Sequence, residues 1–411
     1  MATNELDHKS IKIKLIQSID DWKKLEVVWE SLWEASPNPS IFSSFHFLFS
    51  WYLNINKLLI KPHILLLSDE SNSPIGIAPL FKVFGWLYGI PIRTITFITD
   101  SIHSDRPHFI IPSMYERQLT AIFNYLSHNR NKWDQLFFSE QIVNDTYKHI
   151  FRTTFNDQNS FELDITHDSV APYLSFSDDI DSWDAYLTKR SKGHRKKWRY
   201  FQNRLKKIGK LEVTRHTGYK NFSLRVKEYK NIERRSLKSR KLRVHKQDFR
   251  LYKNLIKVIE TAGRIHIAFL RLNDRPIAGL IGLEYKKKYA AIHTAFDKEF
   301  ASHSPGFLVG GFDIQWAIAN NLIEYDFMAN YITDKLRWTN SFRKTSRSRV
   351  IHKRRLGFLY YLIKFKINPS IKSVINSNIL FLKLKNVFRK PKTKINESKF
   401  DSHNISIKFD N

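Results

Sequence analysis

Residues 289–338, YAAIHTAFDKEFASHSPGFLVGGFDIQWAIANNLIEYDFMANYITDKLRW, read as a strand, a turn, a helix, a second short strand and a polar loop. Ala290, Ile292, Thr294 and Phe296 alternate along the first strand, so one of its faces is expected to be buried. Leu308, Phe312, Trp316 and Ala319 recur at helical spacing, and LIEYDF is a short strand-like run. Ser304-Pro305-Gly306 feeds the helix directly. Proline suits a first helical turn because its missing N–H has no partner to lose there, and glycine lets another group approach the free amides. Such amides can hold a phosphate.

Outward from this stretch, the chain of 411 residues has room for two domains and a tail. Apolar residues at 42% and aromatic residues at 14% exclude global disorder. There is no cysteine, which excludes disulfides, thiolate metal sites and cysteine nucleophiles. Histidine and aspartate do occur near one another, but without ligand-like spacing, and no metal is expected. MATNELDHKSIK lacks the apolar core of a signal peptide, and no apolar run is long enough to span a bilayer. A cytoplasmic protein is therefore expected.

Net charge is +29, from 68 basic and 39 acidic residues, and its distribution is uneven. Lys189 to Lys210 holds eleven basic residues and no acid, and Arg343 to Lys394 holds sixteen and none. Blocks of this kind attract nucleic acid, anionic lipid or a polyanion such as coenzyme A.

In chain order, residues 21–36 and 45–52 read as helices, and HILLLS, DESNSP and IGIAPL as a hairpin followed by the strand RTITFI. SIHSDRP is a polar loop with His103, Asp105 and Arg106, and Leu119, Ile122, Phe123 and Leu126 mark one face of a helix before the strand DQLFFS. Residues 156–169 are polar and acidic and are the expected boundary between halves. Beyond it come PYLSF, a helix capped by Ser182 or a neighbouring aspartate, and a basic helix with Trp198, Phe201, Leu205 and Ile208 inward. A further helix over residues 249–261 leads to RIHIAFL, PIAGLIGL and YAAIHTAF as three strands in series. HILLLS, turn, PIGIAPL, strand, helix and DQLFFS follow the same order as HIAFL, turn, PIAGLIGL, strand, helix and IEYDF. The chain thus reads as two copies of one α/β unit.

The domains expected are 1–160, 161–350 and a basic tail over 351–411. In the tail, basic residues alternate with runs such as GFLYYLIKFKI, a pattern that suits a helix lying on an anionic membrane surface or packed on the core.

Pro172-Tyr173-Leu174, the basic run Lys192 to Lys207, Arg275-Pro276-Ile277-Ala278, Phe296-Asp297, Ser304-Pro305-Gly306, Asp326-Phe327 and Lys335 stand in an order that resembles the GNAT-like acetyltransferases of the CelD/BcsL cellulose-biosynthesis type. That family is related to the FemAB aminoacyl transferases. The resemblance implies a mixed α/β fold of two tandem GNAT-like domains with a pseudo-twofold, FemAB-like arrangement. It also implies an enzyme transferring an acyl group from acetyl-coenzyme A or another acyl-coenzyme A to an amine or hydroxyl of a small molecule or saccharide. Departures fall at Asn330, Tyr331 and Asp334, where that family carries other residue types.

On this reading Ser304, Pro305, Gly306 and Phe307 bind the donor's phosphates, Asp326, Lys335 and His303 are the candidate catalytic residues, and Asp105, Asp297 and Arg337 are the candidate acceptor contacts. Asp326 ends a short strand, the place where ligands gather in an open α/β sheet. His303 has an ordinary pKa suited to proton transfer. Two other readings compete: an aminoacyl-tRNA donor held by the basic helix, with Trp198 and Tyr200 interleaved, and a non-catalytic module binding anionic partners through its tail.

Overall fold

The computed structural model describes residues 11–37, 39–54, 59–87, 90–97, 106–176, 180–237, 246–259, 263–329, 332–353, 358–359 and 362. In its first half the elements are β1 (Lys12–Ile16), α1 (Ile19–Lys23), α2 (Glu26–Ala35), α3 (Phe45–Leu53), β2 (Ile60–Pro62), β3 (Ile64–Ser68), β4 (Pro74–Ala78), β5 (Leu80–Leu87), β6 (Ile90–Phe97), α4 (Tyr115–His128), β7 (Gln135–Gln141), α5 (Asp145–Thr154) and β8 (Phe161–Ser175). The second half comprises α6 (Trp183–Thr188), α7 (Lys192–Lys206), β9 (Leu211–Thr217), α8 (Tyr219–Arg235), α9 (Lys246–Ile259), β10 (Gly263–Leu272), β11 (Arg275–Tyr285), β12 (Lys288–Phe296), α10 (Pro305–Ala319), β13 (Glu324–Asp326), α11 (Ile332–Lys335) and β14 (Phe342–His352).

Eleven strands form one mixed sheet in the order β2-β5-β6-β7-β14-β8-β13-β12-β11-β10-β9, and β1-β3-β4 form a small second sheet. The expected repeat is visible in its pairings. Strands β6 and β7 are parallel over Thr94–Thr96 and Gln135–Phe137 with α4 between them in sequence. Strands β12 and β13 are parallel over Lys288–Ala290 and Glu324–Asp326 with α10 between them. Each parallel pair is preceded by an antiparallel hairpin, β5-β6 in one copy and β11-β12 in the other. The copies differ at Pro79, which lies between β4 in the small sheet and β5 in the large one, whereas the corresponding β11 runs unbroken. Proline cannot donate to a ladder, so a change of sheet there costs no hydrogen bond.

The expected boundary over 156–169 is not a linker. Residues 161–172 of β8 pair with β14, and Tyr173–Ser175 pair with β13, so one strand carries the chain from the first half into the second. Strand β14, from the end of the second half, lies between β7 and β8. Residues 1–358 accordingly cluster as one compact unit. The tail beyond 362, including its expected amphipathic helix, lies outside the described residues.

The expected helix over residues 21–36 is two helices, α1 and α2, which bury Trp22, Trp29 and Trp33. The hairpin, the helix α4 and the strand β7 stand where periodicity puts them, and Leu119, Ile122, Phe123 and Leu126 are all buried. Ser182 caps α6 by accepting from Ala185 N. Ile208 falls beyond α7 and is exposed, while Trp198 and Leu205 are buried as expected.

In β12 the expected alternation breaks at a bulge. Ile281 pairs with His293 and Gly282 with Ala291, which leaves Ile292 as the extra residue and shifts the buried set to Tyr289, Ala290, His293 and Ala295. Of the expected face of α10 only Leu308 is buried: Phe312 and Trp316 are half-buried and Ala319 is exposed, while Val309, Ile314, Ala317 and Ile318 are buried together with an acid. Asp313 is buried and accepts from Arg215 on β9, from Tyr289 Oη at 3.2 Å and from Tyr325 Oη at 2.7 Å. Arg215 also lies flat over Trp316 at 3.9 Å. This network ties α10 to strands β9, β12 and β13 at once.

A buried carboxylate without its cation is strongly destabilising, whereas removing both charges together is far less so. Arg215→Met should therefore lower stability by about 3 kcal/mol, and Arg215→Met with Asp313→Leu should recover much of that loss in urea denaturation.

Candidate active site

Two features of β12 and α10 set the geometry. Strands β12 and β13 pair at only three positions, ending at Ala290 and Asp326. Beyond them β12 continues to Phe296 bonded to β11 on one side, so among the described residues its other edge, from Ala291 onward, has no strand partner. That edge leads to the first turn of α10.

Ser304 takes the left-handed conformation (φ 48°, ψ 51°) before Pro305, and its carbonyl accepts from Leu308 N. The amides of Gly306 and Phe307 sit in the first turn, where a helix has no internal acceptors for them. A Cβ at Gly306 would lie 3.0 Å from the Phe296 ring, so a larger residue there would have to push that ring aside. Arg204 reaches this turn from α7 and donates to Ser302 O at 3.2 Å. The Phe307 ring stacks on Trp338 at 4.5 Å, and Trp198 and His194 pack beside it. The side chain of Phe307 therefore packs, and only its amide is available to a ligand. His303 is close by, with Nδ1 3.1 Å from Ser302 Oγ. Partial burial and the neighbouring Arg204 charge lower its pKa.

Asp326 and Lys335 are brought together as the organisers of one loop. Asp326 is buried, its Oδ2 accepts from Arg106 Nη2, and its Oδ1 accepts from Met328 N at 2.7 Å. Met328 has a positive φ of 64°, a costly conformation for a residue with a side chain. Lys335 Nζ donates to Met328 O at 2.9 Å and to Ala329 O at 2.8 Å, which satisfies the carbonyls of that turn. Arg106 is the partner that periodicity could not supply, from a loop 220 positions away.

Asp297 caps the short 3-10 helix after β12 and is buried. Its Oδ2 accepts from Arg235 at 2.5 Å and from Arg275 at 2.8 Å. Burial alone would raise its pKa, but the Glu299 amide and the two guanidiniums hold it below the usual carboxylate range. Arg337 is half exposed and pairs with Asp334 at 3.1 Å. The structure thus places Asp297 and Arg337 in local ion pairs rather than facing one cleft. Asp105, with Asn330 and Tyr331, lies outside the described residues.

A cleft of about 640 Å³ opens on the sheet face opposite α10, lined among others by Ser40, His108, Tyr115, Lys288 and Arg343. Its inner end narrows past Arg106, Ala290 and Glu324 to Asp326. Arg343 binds Glu324 through two bonds of 2.6 and 3.2 Å and lies over the Tyr173 ring. Lys288 donates to Pro39 O at 3.2 Å, and burial lowers its pKa, as do Arg343 and Arg106, against the opposing pull of Glu324. His108 Nδ1 is 3.0 Å from Ser43 Oγ. Burial lowers the His108 pKa to about 4, with a further contribution from the Arg106 and Lys288 charges.

Residues 192–335 match the family model described as an acetyltransferase (GNAT) domain. This segment, about a third of the chain, is similar to the domain of GNAT acetyltransferases and supports an acyltransferase. Among solved structures, the crystal structure of FemX superposes with a TM-score of 0.51 at 11% identity, covering 79% of this chain and 95% of that one. A conserved protein of unknown function from Bacteroides thetaiotaomicron gives 0.48 at 10% identity, covering 83% and 100%. A tandem GNAT protein from the clavulanic acid biosynthesis pathway gives 0.45 at 10% identity, covering 84% and 98%. The likeness to FemX is one of fold, over nearly the whole of the FemX chain. No curated protein matches the sequence.

The match begins at α7 and ends at Lys335, so it takes in the α10 turn, the open edge of β12 and the Asp326 loop. His108, Lys288 and Arg343 were missed because they come from a loop and two strands and carry no local spacing, whereas Arg106 was read with His103 and Asp105 as one polar loop.

Two outcomes are expected. Lys335→Met should leave two turn carbonyls without their donor, lowering thermal stability and loosening the Met328 turn, which amide exchange of residues after β13 would reveal. Secondly, His63, His108 and His194 each have folded pKa values of about 4, lowered first by burial. An unfolded histidine titrates near 6.5, so between about 6.5 and 4 the unfolded chain binds more protons than the folded one. Stability should therefore fall as pH drops through that window, with His108→Gln flattening part of the slope in denaturation at stepped pH.

Proposed function

We propose that this protein transfers an acyl group from acetyl-coenzyme A, or another acyl-coenzyme A, to an amine or hydroxyl of a small-molecule or saccharide acceptor. The observation that carries this is the open edge of β12 leading to the free amides of α10, inside the segment that matches the GNAT domain.

The chain's own residues suit each part of such a donor. Amides of Gly306 and Phe307, with the helix dipole and the Arg204 guanidinium beside them, fit a pyrophosphate. The unpaired edge from Ala291 to Phe296 offers backbone N–H and C=O groups to the amides of a pantetheine arm, as an added strand would. Where β12 bulges at Ile292 the ladder is interrupted, and amides there can face the oxygen of a thioester carbonyl.

The acceptor side is the cleft on the opposite face. Its charge is mostly internally balanced, Arg106 with Asp326 and Arg343 with Glu324, while Lys288 donates to the Pro39 carbonyl. An acceptor with an anionic or hydroxyl-rich end fits there. In the reaction the acceptor nitrogen or oxygen bonds to the thioester carbonyl carbon, the carbon–sulfur bond breaks, and the thiol sulfur leaves. His108 lies in this cleft with its ring kept neutral by burial, where it can accept a hydrogen bond from a bound acceptor, whose proton ends on the departing thiol. In this reading Asp326 and Lys335 position the loop, and His303 stands on the donor side.

A second donor class is favoured by one feature. Helix α7 exposes Lys196, Lys197, Arg199, Lys206 and Lys207, with Arg204 over the Tyr200 ring, a face that suits the phosphates of an aminoacyl-tRNA.

Ligand binding to the folded state raises the melting temperature by mass action. Acetyl-coenzyme A should therefore raise it, and Arg204→Gln should weaken that binding about tenfold, the effect of losing one charged phosphate contact, without changing the melting temperature of the free protein. No shift with any coenzyme A thioester, alongside salt-sensitive tRNA binding, would replace this reading with the aminoacyl-tRNA one.

A further inference from the structure

The outer end of the β5–β6 hairpin is apolar, exposed and ringed by cations. Trp86 is 71% exposed and pairs across the hairpin with Pro91, which is also exposed. Leu59, beside the edge strand β2, is 48% exposed, and Phe84 accepts the approach of Lys82 Nζ at 5.3 Å from its ring. These residues border a shallow depression formed with Gly85 and Ile92. The depression lies at the edge of the large sheet, at the far end from β9.

Lys61 pairs directly opposite Lys82, and the charges of Arg93, Lys132 and Lys61 all act on Lys82 and lower its pKa together with burial. The acid among them, Asp134, is held by Arg93 through bonds of 2.9 and 3.0 Å. Like charges placed directly opposite on neighbouring strands destabilise a sheet, so the Lys61–Lys82 pair works against folding unless a partner gains from it.

We infer that this hairpin end docks the protein on the surface of an anionic lipid bilayer, with Trp86 seated at the headgroup level and the lysines on the lipid phosphates. The indole is amphipathic and favours the membrane interface, and lysine stems reach past apolar surface to place their ammonium groups in the headgroup layer. Charge complementarity selects the bilayer: Lys61, Lys82 and Lys132 lie around the exposed apolar patch, and the acid among them, Asp134, is held by Arg93. No helix among the described residues is long and apolar enough to cross a membrane, so contact of this kind would be peripheral. The inference does not rest on the acyl-transfer reading.

Flotation of the full chain with vesicles tests it. Binding should be strong to phosphatidylcholine vesicles containing phosphatidylglycerol, weak to phosphatidylcholine alone, and reduced by salt. Trp86→Ala should lower partitioning about tenfold, the equivalent of one interfacial indole, while Trp86→Phe keeps part of it. Lys61→Glu with Lys132→Glu should lower it as well, with circular dichroism unchanged. Equal partitioning of wild type and Trp86→Ala would overturn the inference, as would equal binding to neutral and anionic vesicles. Concentration-dependent self-association that Trp86→Ala removes, without vesicle binding, would assign the patch to a second copy of the chain and overturn it too.

Discussion

Strand β13 is only three residues long, and that brevity governs the rest of the molecule. Because it stops at Asp326, its neighbour β12 runs on with one edge free, and the chain must then turn sharply through Met328 in a conformation that costs energy. Everything around the turn offsets that cost. Arg106 and the Met328 amide hold Asp326, Lys335 holds the carbonyls of the turn, and β8 pairs with the other side of β13. The open edge of β12 thus exists because a buried ion pair across the two halves stabilises the place where its neighbour ends.

Helix α10 and the start of β12 depend on a different buried charge. Asp313 makes α10 specific in its rotation, since only one face of the helix can meet Arg215, Tyr289 and Tyr325 together. An apolar helix on an apolar sheet can slide at little cost, whereas a carboxylate with three donors cannot. That fixes the first turn of α10, and with it the amides of Gly306 and Phe307, against the end of β12. Burial raises the Tyr325 and Tyr289 phenols far above the ordinary range, and the Asp313 charge adds to this, so both remain proton donors to the carboxylate.

Much of this fold was legible in sequence. Period-2 runs located the hairpins, helical spacing located α4, α7 and α10, and Ser-Pro-Gly marked a helix start because proline and glycine have few other uses there. The repeated order of elements pointed to two copies, and the two parallel pairs β6-β7 and β12-β13 are that repeat in the sheet. What stayed hidden is non-local. Nothing in FRKTSRSRVIH says that β14 will enter between β7 and β8, because a strand's partners are chosen by the whole chain. A single inserted residue at Ile292 moved every later side chain of β12 to the other face. For the site, local motifs marked the first turn of α10, but not that Asp326 would meet Arg106, that Lys335 would reach the Met328 and Ala329 carbonyls, or that Lys288 and Arg343 from separate strands would line one cleft.

On the proposed function, the free edge of β12 and the first turn of α10 form the seat of an acyl donor. A crystal structure of the protein with acetyl-coenzyme A tests this most directly. The pyrophosphate is expected within hydrogen-bond distance of the Gly306 and Phe307 amides, near Arg204, with the pantetheine arm paired along Ala291 to Phe296. Coenzyme A bound instead in the cleft of Lys288 and Arg343, or the β12 edge left empty in a fully liganded crystal, would contradict it.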